Sequence, residues 1–470
     1  MTLPQPHPAA GAGTGTGPAG EHPAPLIGEA EERRSARAGA FSMFVDSYDV
    51  YLPALVLPAA MAYFMPEGAP AATRATMTTL MFTVGLLGRP IGSVIFGNIS
   101  DRIGRKRTTM ISGWGFTVCT LLMGLLPGHA SLGSGAIAVF ATLRLVSGVF
   151  LAGGYAAPMP LALEQARPER RGLVGGLIGA GAPGSFLVIN ALLLVLLNVL
   201  PEGGFLSWGW RVPFLLGFVL GLVYLWQYRK VREDADVFAA RRAEGRKQPV
   251  VELFTTHRAL IGSVFLFTCG YWFAAQMSVS FLPTLLVQVL ESSPNLSTTS
   301  ELIAAVLTIV LILVLARLGQ RMGRRRLLMT CSLIMATVVA AAFALLALAK
   351  DLGMPAWLVV VVYLVAKVTP SAPLGVILTY LNERFPASVR ASGYGIGYMF
   401  GLILPGLYTF ELLWLSKLMP YAYTPIVLIV FGGLLMHVAV RRGPDTNAVT
   451  VAAGPQAAPR AVSVTAEGAR

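Results

Sequence analysis

Gly97-Asn-Ile-Ser-Asp101-Arg102-Ile-Gly104-Arg105-Lys106-Arg107 is a short basic stretch set between two long apolar runs. Its pattern returns in Ala316-Arg-Leu-Gly-Gln320-Arg321-Met-Gly323-Arg324-Arg325-Arg326, displaced by 219 residues from Gly104 to Gly323. A second pair of segments shares that displacement, since Glu164 to Arg171 matches Glu383 to Arg390. Two separate motifs with one offset point to an internal duplication, with two halves of like architecture following each other along the chain. The copies of the first motif differ at Asp101, whose counterpart is Gln320.

The composition around these loops belongs to a membrane. Of 470 residues, 55% are hydrophobic and 13% charged, and the mean hydropathy is +0.67. A soluble chain of this length needs far more polar surface. Apolar runs recur at the length a helix needs to cross a bilayer. They predict twelve spans, at about 39–65, 76–97, 107–127, 132–163, 170–198, 210–228, 258–290, 299–318, 327–349, 355–382, 391–415 and 421–440. The expected fold is all-α, with twelve transmembrane helices in two pseudo-symmetric six-helix bundles, 38–228 and 258–442. A polar cytoplasmic linker, 229–257, joins them. Tails 1–37 and 443–470, rich in small residues, Pro and Gly, are too poor in apolar residues to order themselves.

The net charge of +13 does not mark a nucleic-acid partner, because the basic residues gather in alternate loops. Arg102 to Arg107, Arg167 to Arg171, the 229–258 segment, Arg321 to Arg326, Arg384, Arg390 and Arg441 all follow even-numbered spans. The opposite loops hold only Arg74, Lys350 and Lys417. By the positive-inside rule both termini are expected in the cytoplasm. Cys119, Cys269 and Cys331 lie apart within spans, without metal-ligand or disulfide spacing. No nucleophile–base pair and no metal cluster suggests an enzyme.

In this setting Gly97-x-x-x-Asp101-Arg102-x-Gly104-Arg105-Lys106 resembles the signature of the major facilitator superfamily, and the resemblance covers residues 39 to 441. Further segments resemble the metabolite:proton symporter family within it. They are Asp46-Ser-Tyr-Asp49, Gly88-Arg89-Pro90-Ile-Gly92, Leu143-Arg144-Leu-Val-Ser-Gly148, Gly181-Ala-Pro183, Trp208-Gly-Trp210-Arg211-Val-Pro213-Phe214 and Tyr380-Leu-Asn-Glu383-Arg-Phe-Pro386. Asp46 replaces a longer acid, and Gly153-Gly154-Tyr155-Ala156 replaces an acidic-plus-Trp pattern. The resemblance implies a plasma-membrane carrier that works as a monomer. It would bring small carboxylates, zwitterions or betaines inward with protons and need no cofactor beyond the coupling proton. It also implies that the loop residues Gly97, Asp101, Arg102, Gly104, Arg105, Glu164, Arg171, Glu383 and Arg390 close the cytoplasmic side. The alternative is a proton-driven efflux antiporter, since Gly179-Ala-Gly-Ala-Pro183-Gly184 is also similar to an antiporter motif.

Charges inside spans are costly, about 2.5–3.5 kcal/mol each on insertion scales, and so mark candidate function. At about 1.5 Å per residue, Asp49 and Arg89 lie roughly 12–13 Å in from the cytoplasmic ends of spans 1 and 2. Arg144 and Lys367 lie about 18 Å in from the outer ends of spans 4 and 10, at a similar depth. Asp46, Asp49 and Arg144 are the expected proton-coupling group, with Arg89 placed to hold Asp46. A fixed buried ion pair is the competing reading. Lys367 has Gly148 as its repeat counterpart, so a symmetric scaffold does not require it. It is expected to bind substrate, with snorkelling or pairing to an acid as alternatives. Arg89, Tyr48, Tyr155 and Gln276 complete the candidate substrate contacts.

Overall fold

The computed structural model describes residues 28–69, 71–156, 158–230, 253–286, 294–386 and 389–446. The twelve spans form helices that run alternately up and down. In the first half they are α1 (Glu29–Phe64), α2 (Ala71–Ile103), α3 (Arg105–Gly124), α4 (Gly135–Ala156 and Pro158–Gln165), α5 (Arg171–Val199) and α6 (Arg211–Arg229). In the second they are α7 (Arg258–Gln276, continued by a π turn Met277–Phe281), α8 (Pro294–Met322) and α9 (Arg324–Ile334, then a π turn and Ala340–Ala347). They continue with α10 (Ala356–Ser371 and Leu374–Arg384), α11 (Arg390–Phe400, Ile403–Gly406 and Tyr408–Leu415) and α12 (Thr424–Arg441). Ten of these are long and apolar enough to cross a membrane by themselves. The other two are α3, which opens on Arg105-Lys-Arg-Thr-Thr, and the interrupted α11.

Several boundaries differ from expectation. α1 starts at Glu29, so residues 29–37 are helix rather than tail. Their charges explain this: Glu29 pairs with Arg170 at 2.9 Å, and Glu32 with Arg167 at 3.4 Å. α8 starts at Pro294 rather than 299, because its polar first turns still continue the helix. Residues 443–446 also pack, since the carbonyls of Pro444 and Thr446 accept bonds from Tyr380 and Arg324. Most of the expected linker, 231–252, lies outside the described residues, as do 1–27 and 447–470.

Glycines set how closely the helices pack in the first half. A Cβ at Gly88 would stand 2.4 Å from the Leu145 carbonyl oxygen, and one at Gly92 would stand 2.0 Å from that of Val149. From the other side, a Cβ at Gly148 would meet the Gly85 carbonyl oxygen at 2.1 Å. α2 and α4 thus touch backbone to backbone, the small-residue contact by which membrane helices associate. The repeated loop motif has its own glycine requirement. Gly104 and Gly323 both have positive φ, 92° and 93°, and each precedes the first residue of a helix. A side chain is strained in that conformation.

The halves meet through α5 with α8 and α10, and through α2 and α4 with α11. The 219-residue offset maps α5 with α8 onto α11 with α2, so the main contacts are related by the pseudo-symmetry of the duplication.

Candidate functional site

Asp49 sits inside the first half and collects three side-chain donors. Arg144 Nη1 lies 3.1 Å from its Oδ2, Ser147 Oγ donates to the same oxygen at 3.0 Å, and Thr120 Oγ1 donates to Oδ1. Arg144 also donates to the backbone carbonyls of Asp49 and Val50, both at 3.2 Å. Proline explains the first of these backbone bonds. Pro53 has no N–H for the Asp49 carbonyl one turn back, and the guanidinium takes its place. Gly85 leaves room for that guanidinium, since a Cβ there would lie 2.7 Å from Arg144 Nη2.

One turn earlier on α1, Asp46 Oδ1 accepts from Arg89 Nη2 at 2.7 Å. Both residues line a central cavity between the two halves. Helices α1, α2 and α5 form one wall, and α7, α8, α10 and α11 the other. Tyr51 and Phe186 face each other with ring centroids 4.5 Å apart, and Tyr271 with Trp272 at 5.3 Å. Gln276 is buried in this lining, and neither atom of its amide has a hydrogen-bond partner. The Trp272 indole N–H is likewise unpartnered.

A second ion pair occupies the opposite wall. Lys367 Nζ donates to Glu301 Oε1 at 2.7 Å and to the Val279 carbonyl at 3.3 Å. Tyr363, one turn before Lys367, also donates to Glu301 Oε1. Lys367 lies 5.9 Å from the centre of the Phe186 ring, a cation–π contact across the two halves. α10 is opened here by Pro370, which cannot donate to the Ala366 carbonyl. Ser278 Oγ from α7 supplies that bond at 2.7 Å, holding the α7 π turn against α10.

The basic-loop end is closed below the cavity. Glu164 of the first half pairs with Arg390 of the second at 3.4 Å. Glu383 of the second pairs with Arg171 of the first at 3.8 Å and with Arg324 of its own half at 2.5 Å. Gln320 Oε1 accepts from the Gly172 N–H at 3.1 Å and from Arg324 at 2.9 Å, and its Nε2 donates to the Pro168 carbonyl at 3.0 Å. It thereby serves one of the orphan N–H groups that begin α5. Small residues continue the contact upward, with Gly175 and Gly179 of α5 against Gly375 of α10 and Gly176 against Ala316 of α8.

Among the expected site residues, Asp46, Arg89, Lys367 and Gln276 come together around the cavity. Asp49 and Arg144 stand behind its wall, one turn from Asp46, and do not line it. Tyr48 is buried away from it, donating to the Pro213 carbonyl at 2.9 Å. Glu164, Arg171, Glu383 and Arg390 meet at the closed end, and Gly97 faces Ser392 across the α2–α11 contact. Gly104 forms the positive-φ turn described above. The side chains of Asp101, Arg102, Arg105 and Tyr155 lie outside what the structure describes. Glu301 and Gln320 were missed from sequence. Glu301 sat at the expected edge of span 8, where an acid reads as interfacial. The earlier start of α8 at Pro294 moves it inward. The signal for it was Lys367, a buried cation to which no acid had been assigned.

The sequence profile of the Major Facilitator Superfamily matches residues 39–409. The shikimate transporter of Escherichia coli (strain K12) is 29% identical, over 80% of this chain and 86% of that protein. The inner membrane metabolite transport protein YhjE of the same organism is 32% identical over 81% and 84%. The proline/betaine transporter of Salmonella typhimurium is 23% identical over 88% and 85%. Among solved structures, the proton:xylose symporter XylE bound to 6-bromo-6-deoxy-D-glucose superposes with a TM-score of 0.72 at 15% identity, covering 90% of this chain and 98% of that one. At that identity the likeness is one of fold.

Proposed function

The chain belongs to the Major Facilitator Superfamily and is a multi-pass membrane transporter, not an enzyme, and we propose that it couples the entry of a proton to the uptake of a small carboxylate or zwitterion. The observation that carries this reading is the central cavity, flanked on its two walls by the ion pairs Asp46–Arg89 and Glu301–Lys367. Such a cavity offers a cation and an anion from each half. A substrate bearing a carboxylate, with or without a positive group, finds partners there that a hydrocarbon-like compound would not. The unpartnered Gln276 amide and Trp272 N–H add donors, and Gln276 an acceptor, for hydroxyl or carboxyl oxygens.

Asp49 is the proposed proton carrier and Arg144 its counter-ion. In the present state three donors surround the carboxylate. Rocking of α1 against α4 would open those bonds and release the carboxylate for proton exchange. The crowding of Lys and Arg in the loops of the closed end supports placing that end, with both termini, in the cytoplasm of a cell whose plasma (inner) membrane holds the protein. The structure then corresponds to a carrier sealed on the inside by Glu164–Arg390, Glu383–Arg171 and Gln320–Gly172.

Proteoliposomes with an imposed pH gradient test this. Labelled shikimate, proline and glycine betaine serve as probes. Asp49→Asn is expected to abolish gradient-driven accumulation while retaining exchange of internal for external substrate. Undiminished accumulation in Asp49→Asn would remove the proton role of this residue. Accumulation driven by a gradient of the opposite sign would instead favour the antiport reading.

A further inference from the structure

We infer that Glu301 is a second proton site, filled only when a substrate of net negative charge takes Lys367 away from it. The inference rests on the reading of the central cavity as the substrate site, and concerns a residue that reading does not use for protons.

The argument starts from charge. Among the described residues, the charged side chains lining the cavity are Asp46, Arg89, Glu301 and Lys367, which sum to zero. The cavity lies among apolar and aromatic side chains, where an uncompensated charge is expensive. A zwitterion enters without disturbing the balance. A monocarboxylate leaves one negative charge in excess, and uptake of one proton restores neutrality.

Geometry selects the acceptor. The Arg89–Asp46 pair is the more enclosed, with side chains 4% and 5% exposed, against 9% and 11% for Lys367 and Glu301. Lys367 is a point charge with three donors, and it also donates to the Val279 carbonyl at 3.3 Å. An incoming carboxylate can therefore replace Glu301 on Nζ without opening the more enclosed Arg89–Asp46 pair. Glu301 is then left with the Tyr363 hydroxyl, from its neighbour α10. Among the elements that pack on α8, α10 contributes Lys367 and Tyr363, and α5 contributes Phe186 at this level. α9 meets α8 through its first segment, near Arg324, at the far end. Across the cavity stand Asp46 and Arg89, with the Tyr51 ring, and Tyr271 of α7 lines the same wall as Glu301. None of these offers Glu301 a free cation once Lys367 is engaged. A proton from water on the entry side joins its carboxylate. It returns to water on the exit side when substrate leaves and Lys367 closes back onto Glu301.

Purified protein in weakly buffered detergent, with a pH-sensitive dye, reads proton uptake on addition of saturating probe. Shikimate, a monocarboxylate, is expected to draw about one proton per protein more than glycine betaine, which is net neutral. Glu301→Gln should erase that difference, and Glu411→Gln, at an acid of α11 that does not line the cavity, should keep it. A difference that survives Glu301→Gln, or that vanishes in Glu411→Gln, overturns the proposal. If Glu301→Gln does not fold, infrared difference spectra replace it. Shikimate should then raise a protonated-carboxyl band in the wild type that shifts in Glu301→Asp, and an unshifted band overturns the proposal. Gradient-driven uptake of the probes by the wild type separates the two readings. If it persists while these results fail, proton symport stands without Glu301; if it is absent, both fall.

Discussion

At the scale of single residues, the prolines explain the site as much as the charges do. At Pro53 and Pro370 the interrupted helical bond is taken over by a side chain from another helix, Arg144 at the Asp49 carbonyl and Ser278 at that of Ala366. Ser278→Ala should lower stability by about 1 kcal/mol, read as a lower melting temperature in detergent. In a Pro370→Ala background, where the helix can mend its own bond, the same change should cost much less. An equal cost in both backgrounds would show that Ser278 acts elsewhere. Sequence made Asp46, Asp49, Arg89, Arg144 and Lys367 legible, because a charge inside an apolar run stands out whatever the fold. The expected partners Arg89 with Asp46 and Arg144 with Asp49 do meet, whereas the acid that meets Lys367 was not named. That depends on helix rotation, which also turned Tyr48 toward Pro213 and left Gln276 facing the cavity.

At the scale of elements, the repeated basic loop is a helix–turn–helix hinge with one conformational demand. Gly104 and Gly323 share it to within a degree of φ, although the residues around them have diverged. Gly104→Ala and Gly323→Ala should each destabilise the protein by about 1 kcal/mol, and by similar amounts, as measured by thermal unfolding. A large effect at one and none at the other would contradict the equivalence of the two turns. The twelve spans and their alternation were readable from hydropathy and loop charge. The breaks within α10 and α11, and the π turns in α7 and α9, were not. A π turn leaves no mark on a uniformly apolar run, because it alters the spacing of hydrogen bonds and not the polarity of side chains.

At the scale of the whole molecule, the ion pairs that join the halves at the closed end, among the described residues, are Glu164–Arg390, about one-fifth exposed, and Glu383–Arg171, whose acid is buried. A pair as exposed as the first holds about 1 kcal/mol or less, small enough to be broken in every transport cycle. Glu383→Gln removes the acid that Arg171 and Arg324 share, and should shift the population toward opening at this end. With Leu374, which lines the cavity, replaced by Cys, a membrane-impermeant maleimide added from the basic-loop side should label the Glu383→Gln background faster. Equal labelling in both backgrounds would mean that the seal lies elsewhere, in the glycine contacts of α5 with α8 and α10. The pattern of these closing pairs also bears on ancestry. Glu164 corresponds to Glu383 and Arg171 to Arg390, and each acid reaches the arginine of the opposite half. Residue i touches j and j touches i, the rule for two identical subunits related by a two-fold axis. A six-helix protein bearing one such glutamate and one such arginine would already bind a second copy of itself. Gene fusion had no lock to invent. It freed the two copies to differ, and Gln320 and Lys367 are differences that a homodimer would have had to carry twice.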